Sequence, residues 1–345
     1  MTSPRATAPD PTGARTRPDR LRAAGPGLVA CLGIAAVATP LGRLVPVVGS
    51  PVIAIVLGVL LAVGVPVGRL RPGAAVAAGP ALQLSVVLLG TGLSLTQVAR
   101  TGVSSLPVLL GTLAVALGGA RLAGRVLGVR GDRRTLIGVG TGICGASAIA
   151  AVTAVIGAAE VDVAYAVATI FTFNVAAVLL YPALGHLLGL SQHAFGLWAG
   201  TAINDTSSVV AAATSYGRAA GSYGVVVKLT RSLMIVPICL WLGIRSGRGA
   251  GERRALPWRR MFPPFLVGFL LASLLDTAGT VPAGWHGGLT ATSTFLITAA
   301  LAGIGLGTRP AALRAAGVRP LLLGGLLWVA VGASSLLLQL VTGSR

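Results

Sequence analysis

Gly140-Thr141-Gly142-Ile143-Cys144-Gly145-Ala146-Ser147 and Gly200-Thr201-Ala202-Ile203-Asn204-Asp205-Thr206-Ser207 align without a gap. Each lies inside an apolar run of bilayer-spanning length, residues 135–157 and 194–215. Glycine, threonine and their small neighbours disfavour a continuous helix. A helix interrupted at membrane depth leaves backbone N–H and C=O groups unpaired, which is tolerated only where they line a cavity or bind something. Two matching interrupted segments are the pattern expected of a secondary transporter's site. The alternative reading is close helix packing through small residues.

The rest of the chain has the same character. Of 345 residues, 54% are hydrophobic and 10% charged, and the mean hydropathy is +0.86. A globular protein carries about 25% charged residues, so a soluble enzyme, a secreted disulfide scaffold and a disordered chain are excluded. The apolar runs do not alternate as the strands of a membrane barrel do. The fold class is therefore all-α and polytopic. Eleven segments of roughly transmembrane length are expected, at 28–46, 51–67, 76–96, 103–120, 135–157, 163–188, 194–215, 222–244, 261–275, 289–307 and 320–341. Residues 1–27, with five arginines and no apolar periodicity, read as a disordered basic cytoplasmic tail, and 28–345 as the transmembrane transporter domain. The Arg/Gly-rich stretch 245–260 reads as a connector.

The net charge of +19 is a matter of topology, not of nucleic-acid binding. Lys and Arg fall 21 to 4 on alternate sides of the segments. The tail, Arg69, Arg71, the 121–134 loop, the connector and Arg309, Arg314 and Arg319 lie on one side. Arg43, Arg100, Arg218 and Arg345 lie on the other. By the positive-inside rule the N-terminus is cytoplasmic and the C-terminus outside, in a bacterial cytoplasmic membrane. We read all eleven segments as reaching across. Re-entrant hairpins at 135–157 and 194–215, entering from opposite sides, would give the same charge count.

A further similarity relates Gly90-Thr91-Gly92-Leu93, followed by Arg100, to Gly303-Ile304-Gly305-Leu306, followed by Arg314. These stretches run in opposite directions in the count, as inverted repeats do. Cys31, Cys144 and Cys239 form no C-x-x-C, and His186, His193 and His286 form no H-E-x-x-H, so no metal, cofactor or catalytic set is indicated.

Two cations and an acid lie within the apolar runs. Asp205 sits mid-segment beside Asn204, Thr206, Ser207 and Ser208, and an ionisable residue at that depth is a functional candidate. Lys228, the sole lysine, and Arg231 share a face of the next segment. Asp205 and Arg231 are each thirteen residues from a turn at Arg218, at similar depth about 20 Å along each helix. They could simply form a buried ion pair. The functional reading is a polar cavity lined by Thr141, Cys144, Ser147, Asn204, Asp205, Ser207 and Ser208. Lys228 and Arg231 would supply positive charge there for a small oxyanion, and Asp205 would carry a coupling proton or sodium ion or balance Arg231. Asn174 is either a packing amide or a cavity residue. Glu160, Asp162 and Asp276 read as interfacial charges.

GTGICGASAIA (Gly140–Ala150), GTAINDTSSVVAA (Gly200–Ala212), VKLTRSLMIVP (Val227–Pro237) and FLITAALAGIGLGTRPAALRAAGVRP (Phe295–Pro320) resemble the YeiH-type bacterial inner-membrane proteins, a family commonly labelled as sulfate exporters. That family is similar to the bile-acid/sodium symporter and arsenite-carrier superfamily. The resemblance implies two inverted repeats with crossed, discontinuous helices, and export of sulfate or a related oxyanion. Many members carry His-Glu-x-x-Gln where this chain has Asn204-Asp205-Thr206-Ser207-Ser208, so the acid is kept and the imidazole is not. The expected function is secondary transport of a small anion by alternating access. The alternatives are a cation-coupled carrier centred on Asp205 and a non-transporting sensor or assembly subunit.

Overall fold

The computed structural model describes residues 17–44, 49–64, 66–245, 264–307 and 317–343. Most of the expected tail (1–16), most of the connector (246–260) and part of the Phe295–Pro320 motif (308–316) lie outside the described residues. Every regular element described is helical. In chain order these are α1 (Arg17–Leu44), α2 (Gly49–Gly64), α3 (Arg71–Val76), α4 (Leu82–Gly90), α5 (Leu95–Val126), α6 (Gly131–Gly142), α7 (Ala146–Ile156) and α8 (Glu160–Leu187). There follow α9 (Gln192–Ala202), α10 (Thr206–Tyr216), α11 (Arg218–Ser232), α12 (Ile235–Arg245), α13 (Pro264–Thr277), α14 (His286–Gly307) and α15 (Val318–Thr342). The first helix thus begins inside the stretch read from sequence as tail.

Seven helical stretches are long and apolar enough to cross a membrane: Ala23–Gly42, Arg71–Gly90, Leu95–Val126, Glu160–Leu187, Arg218–Ile244, His286–Gly307 and Val318–Thr342. The other four expected segments differ. Those at 51–67 and 261–275 are shorter apolar helices, α2 and α13. Those at 135–157 and 194–215 are each broken in the middle. Outward-facing side chains such as Val126, Val329 and Leu337 are more than half exposed, as suits helices whose solvent is lipid.

The residues that precede and follow each broken segment are in contact. Arg133, in the first turn of α6, donates from Nε (2.8 Å) and Nη2 (2.7 Å) to Asp162 Oδ1 in the first turn of α8. Its guanidinium also lies 4.3 Å from the Tyr165 ring centroid. The chain therefore descends along α6 and returns along α7 before α8 begins. At the second break, Gln192 at the start of α9 accepts hydrogen bonds from the Ala219 (3.0 Å) and Ala220 (3.3 Å) N–H groups at the start of α11. Tyr216, closing α10, donates to the Leu190 carbonyl. The 28-residue α8, roughly 42 Å long, separates the two entry points. The Arg133–Asp162 contact and the Gln192 contacts consequently lie near opposite ends of α8.

The helices form two groups. In one, α14 packs against α1, α2, α3 and α4, and α13 against α4; in the other, made of α5 through α12 and α15, the last helix packs against α5, α6, α8 and α9. The first group is locked by backbone contact: a Cβ on Gly305 would lie 2.4 Å from the Ile55 carbonyl oxygen. Gly305→Val is expected to destabilise the protein by roughly 3 kcal/mol, with Gly287→Ala, at a position with open space around it, near neutral. Melting temperatures in detergent check this, and equal values for the two variants would refute the close-contact account. The seam between the groups is apolar, with Val52, Ile55, Leu82, Val86 and Leu301 meeting Val210, Val226 and Leu229. Among the described residues one side-chain hydrogen bond crosses it, from the Leu95 N–H to Thr277 Oγ1 (2.7 Å).

Candidate functional site

The hairpin tips meet at the two aligned motifs. Helix α6 ends at Gly142, and Gly145, at φ +68° and ψ −129°, turns the chain into α7. Helix α9 ends at Ala202, Ile203 is extended, and Asp205 opens α10. A Cβ on Gly145 would stand 3.2 Å from Asp205 Cβ, so the tips touch.

Two cations from α11 are fixed beneath this crossing. Lys228 Nζ donates to the Ile143 carbonyl (2.7 Å) and to the Ile203 carbonyl (2.8 Å). These two residues occupy the same column of the gapless alignment. Arg231 donates from Nε to the Gly142 carbonyl (2.6 Å) and from Nη2 to the Thr141 carbonyl (2.8 Å). Both side chains are fully buried. The last carbonyls of a helix have no intrahelical partner and carry the negative end of its dipole, so a cation donor suits them twice over. Thr141 Oγ1, Asn204 Oδ1 and Arg231 Nη1 are buried there without a hydrogen-bond partner. Thr201, the counterpart of Thr141, instead bonds Leu197 O (2.6 Å) and Ser335 Oγ (2.7 Å).

Beyond the crossing lies a cavity of about 320 Å³, onto which the N-terminal ends of α7 and α10 face. The two ends differ. Asp205 caps α10: its Oδ1 accepts from the Ser208 N–H (3.0 Å), its Oδ2 from Ser208 Oγ (2.6 Å), and Ser207 Oγ also donates to it. Gly145 supplies no side chain to the first turn of α7, and Ser147 stands exposed at that turn.

Of the nine residues singled out in the sequence, Cys144, Ser147, Asp205, Ser207 and Ser208 line the cavity. Thr141, Asn204, Lys228 and Arg231 lie behind it, in the crossing. Asp205 and Arg231 do not pair. Asp162 pairs with Arg133 and Asp276 bonds to His286 Nε2, so two of the three interfacial acids are engaged and the central acid is held by serines. Asn174 lines the cavity. Gln83 and Ser232 line it as well and escaped the sequence reading; Thr206, marked in the sequence only as a polar neighbour of Asp205, lines it too. Gln83 could have been found by widening the criterion that singled out Asp205, from ionisable residues to any large polar side chain deep in an apolar run. No cluster of His, Cys, Asp or Glu able to hold a metal occurs among the described residues.

The family model described as conserved hypothetical protein 698 matches residues 26–324. The chain is 43% identical over 329 residues to a UPF0324 membrane protein of Streptococcus pyogenes serotype M6, covering 92% of this chain and 97% of that one. It is 42% identical over 327 residues to one from Streptococcus pneumoniae strain R6 (92% and 97%). A third, from Streptococcus agalactiae serotype V, is 39% identical over 328 residues (92% and 98%). No solved structure matches.

Proposed function

We propose a transport function for this chain, which belongs to the conserved hypothetical protein 698 family of UPF0324 membrane proteins, the same family as the YeiH-type proteins its motifs resemble. It acts as a secondary transporter of a small anion, working by alternating access in the bacterial cytoplasmic membrane. Nine segments cross and two re-entrant hairpins enter from opposite faces, with the N-terminus cytoplasmic and the C-terminus outside. This topology keeps the 21 to 4 distribution of Lys and Arg.

The observation that carries the reading is the tip-to-tip meeting of two hairpins that start from opposite ends of the molecule. Broken helices meeting at mid-depth give a site that either face can reach in turn. The preference for an anion follows from how the four half-helix ends are satisfied. Lys228 and Arg231 occupy the negative, C-terminal ends of α6 and α9. The positive, N-terminal ends of α7 and α10 face the cavity, and that of α7 carries no side-chain cap. Free N–H groups and a helix dipole favour an anion. The cations thus act on the substrate through the half-helices they hold, not by touching it.

A second reading, a cation-coupled carrier, is favoured by the Asp205 carboxylate on the cavity wall. One experiment addresses both. Flux of radiolabelled sulfate and methanesulfonate is measured in proteoliposomes, with and without pH and sodium gradients, for wild type and Asp205→Asn. Wild-type flux is expected. If Asp205 carries the coupling ion, the variant loses the response to that gradient and keeps passive exchange. Absence of flux for both anions under every gradient, and for butanesulfonate in the same assay, would remove the anion reading.

A further inference from the structure

We infer that the cavity at the hairpin tips takes an organic acid, a sulfonate or carboxylate on a hydrocarbon body that also carries a hydroxyl or ammonium donor, in preference to inorganic sulfate. The inference deepens the transport reading and rests on it for what the site is used for.

Size is the first argument. About 320 Å³ falls within the ~300–1,000 Å³ range of pockets that enclose small organic molecules, whereas sulfate has five heavy atoms. The wall is the second. Most of it is apolar, with Ile170, Phe171, Val178, Leu229, Ile235 and Phe265 among the lining residues. A sulfate ion there would surrender its hydration to surfaces that return nothing, while a hydrocarbon body gains by burial against them. The polar end is already placed, at the uncapped first turn of α7 beside the exposed Ser147 hydroxyl.

The third argument is Asn174. It lines the cavity, is 4% exposed, and its Oδ1 has no hydrogen-bond partner. Buried amides are nearly always bonded, and this one is left unanswered beside the cavity, where rotation of the amide about its terminal bond presents the oxygen to a donor on the ligand. The Asp205 carboxylate is a second acceptor on the same wall. An acid group alone would leave both unanswered and would be repelled by one. A body that also carries a hydroxyl or ammonium answers them.

The test is calorimetric binding to the purified full chain in detergent, with sulfate, methanesulfonate, butanesulfonate and 4-hydroxybutanesulfonate as probes. Three added methylenes, each contributing roughly fourfold on burial, are expected to make butanesulfonate bind about 50-fold tighter than methanesulfonate, with sulfate weakest. The hydroxylated probe should bind tighter still. Asn174→Leu should lose that hydroxyl preference, about tenfold, and bind butanesulfonate at least as well as wild type. A merely structural Asn174 would move both affinities together. Should the variant fail to fold, the wild-type probe series stands on its own. Sulfate binding as tightly as butanesulfonate, no gain from methane- to butanesulfonate, or no binding of any probe would overturn the inference. The transport reading is judged separately, by flux of the same probes. Graded binding without flux would remove transport and leave the cavity's chemistry in place, whereas flux confined to sulfate would do the reverse.

Discussion

Lys228→Met is expected to release both hairpin tips at once, with loss of transport and a large drop in the melting temperature of the detergent-solubilised protein. The ammonium makes two charge-assisted hydrogen bonds, to the Ile143 and Ile203 carbonyls, in a site with no solvent exposure. A hydrogen bond to a charged group contributes about 1.5–3 kcal/mol, so the pair contributes about 3–6 kcal/mol. Methionine matches the side-chain length and offers no donor, leaving two buried carbonyls with neither protein nor water to bond them. Lys228→Arg is not expected to rescue the protein. A guanidinium is planar and wider than an ammonium, and Arg231 already occupies the neighbouring Gly142 and Thr141 carbonyls. Unchanged melting and flux in Lys228→Met would show that the tips are held by something else.

The second large effect is expected at Gly145. Its φ of +68° with ψ of −129° lies where a Cβ is strained, and the added atom would also stand 3.2 Å from Asp205 Cβ. Backbone strain of this kind costs on the order of 1–3 kcal/mol, and the steric contact adds to it. Gly145→Ala should therefore lower the melting temperature and abolish flux by pushing the tips apart, and Gly145→Val should do more. Gly142→Ala is the contrast. That residue is helical, and its Cβ would meet the Leu113 Cδ1 methyl at 3.1 Å, the movable end of a side chain, and Ala116 Cβ at 3.2 Å, with no backbone strain added. A milder loss is expected there. If the two alanine variants behave alike, the tip conformation is not what Gly145 provides.

Much of this site could be read from the sequence, and the part that could not has a physical explanation. The breaks lie within the aligned motifs because their composition resists helix there. Lys228, Arg231 and Asp205 stand out because charge at membrane depth needs a reason. Their partners were not legible. Nothing in the spacing of α11 says that its cations reach helix-end carbonyls of two other segments, since that depends on how the hairpins cross. The return of each hairpin was hidden for a different reason. Exchanging a crossing for a hairpin alters the side only of loops 157–163 and 188–194, and neither contains a lysine or an arginine. The positive-inside rule is blind to exactly those loops, whereas the contact of Arg133 with Asp162 is not. The short helices α2 and α13 were legible as apolar runs.

The seam between the two helical groups has a mechanical consequence. A hydrogen bond resists displacement in a particular direction and fails abruptly, whereas apolar contact is non-directional and can exchange one neighbour for the next. Polar attachments are confined within each group, and the Leu95–Thr277 bond is the one side-chain hydrogen bond seen between them among the described residues. The joint therefore behaves as a greased bearing with a tether at one end: either body can slide along it without stripping a buried polar atom of its partner.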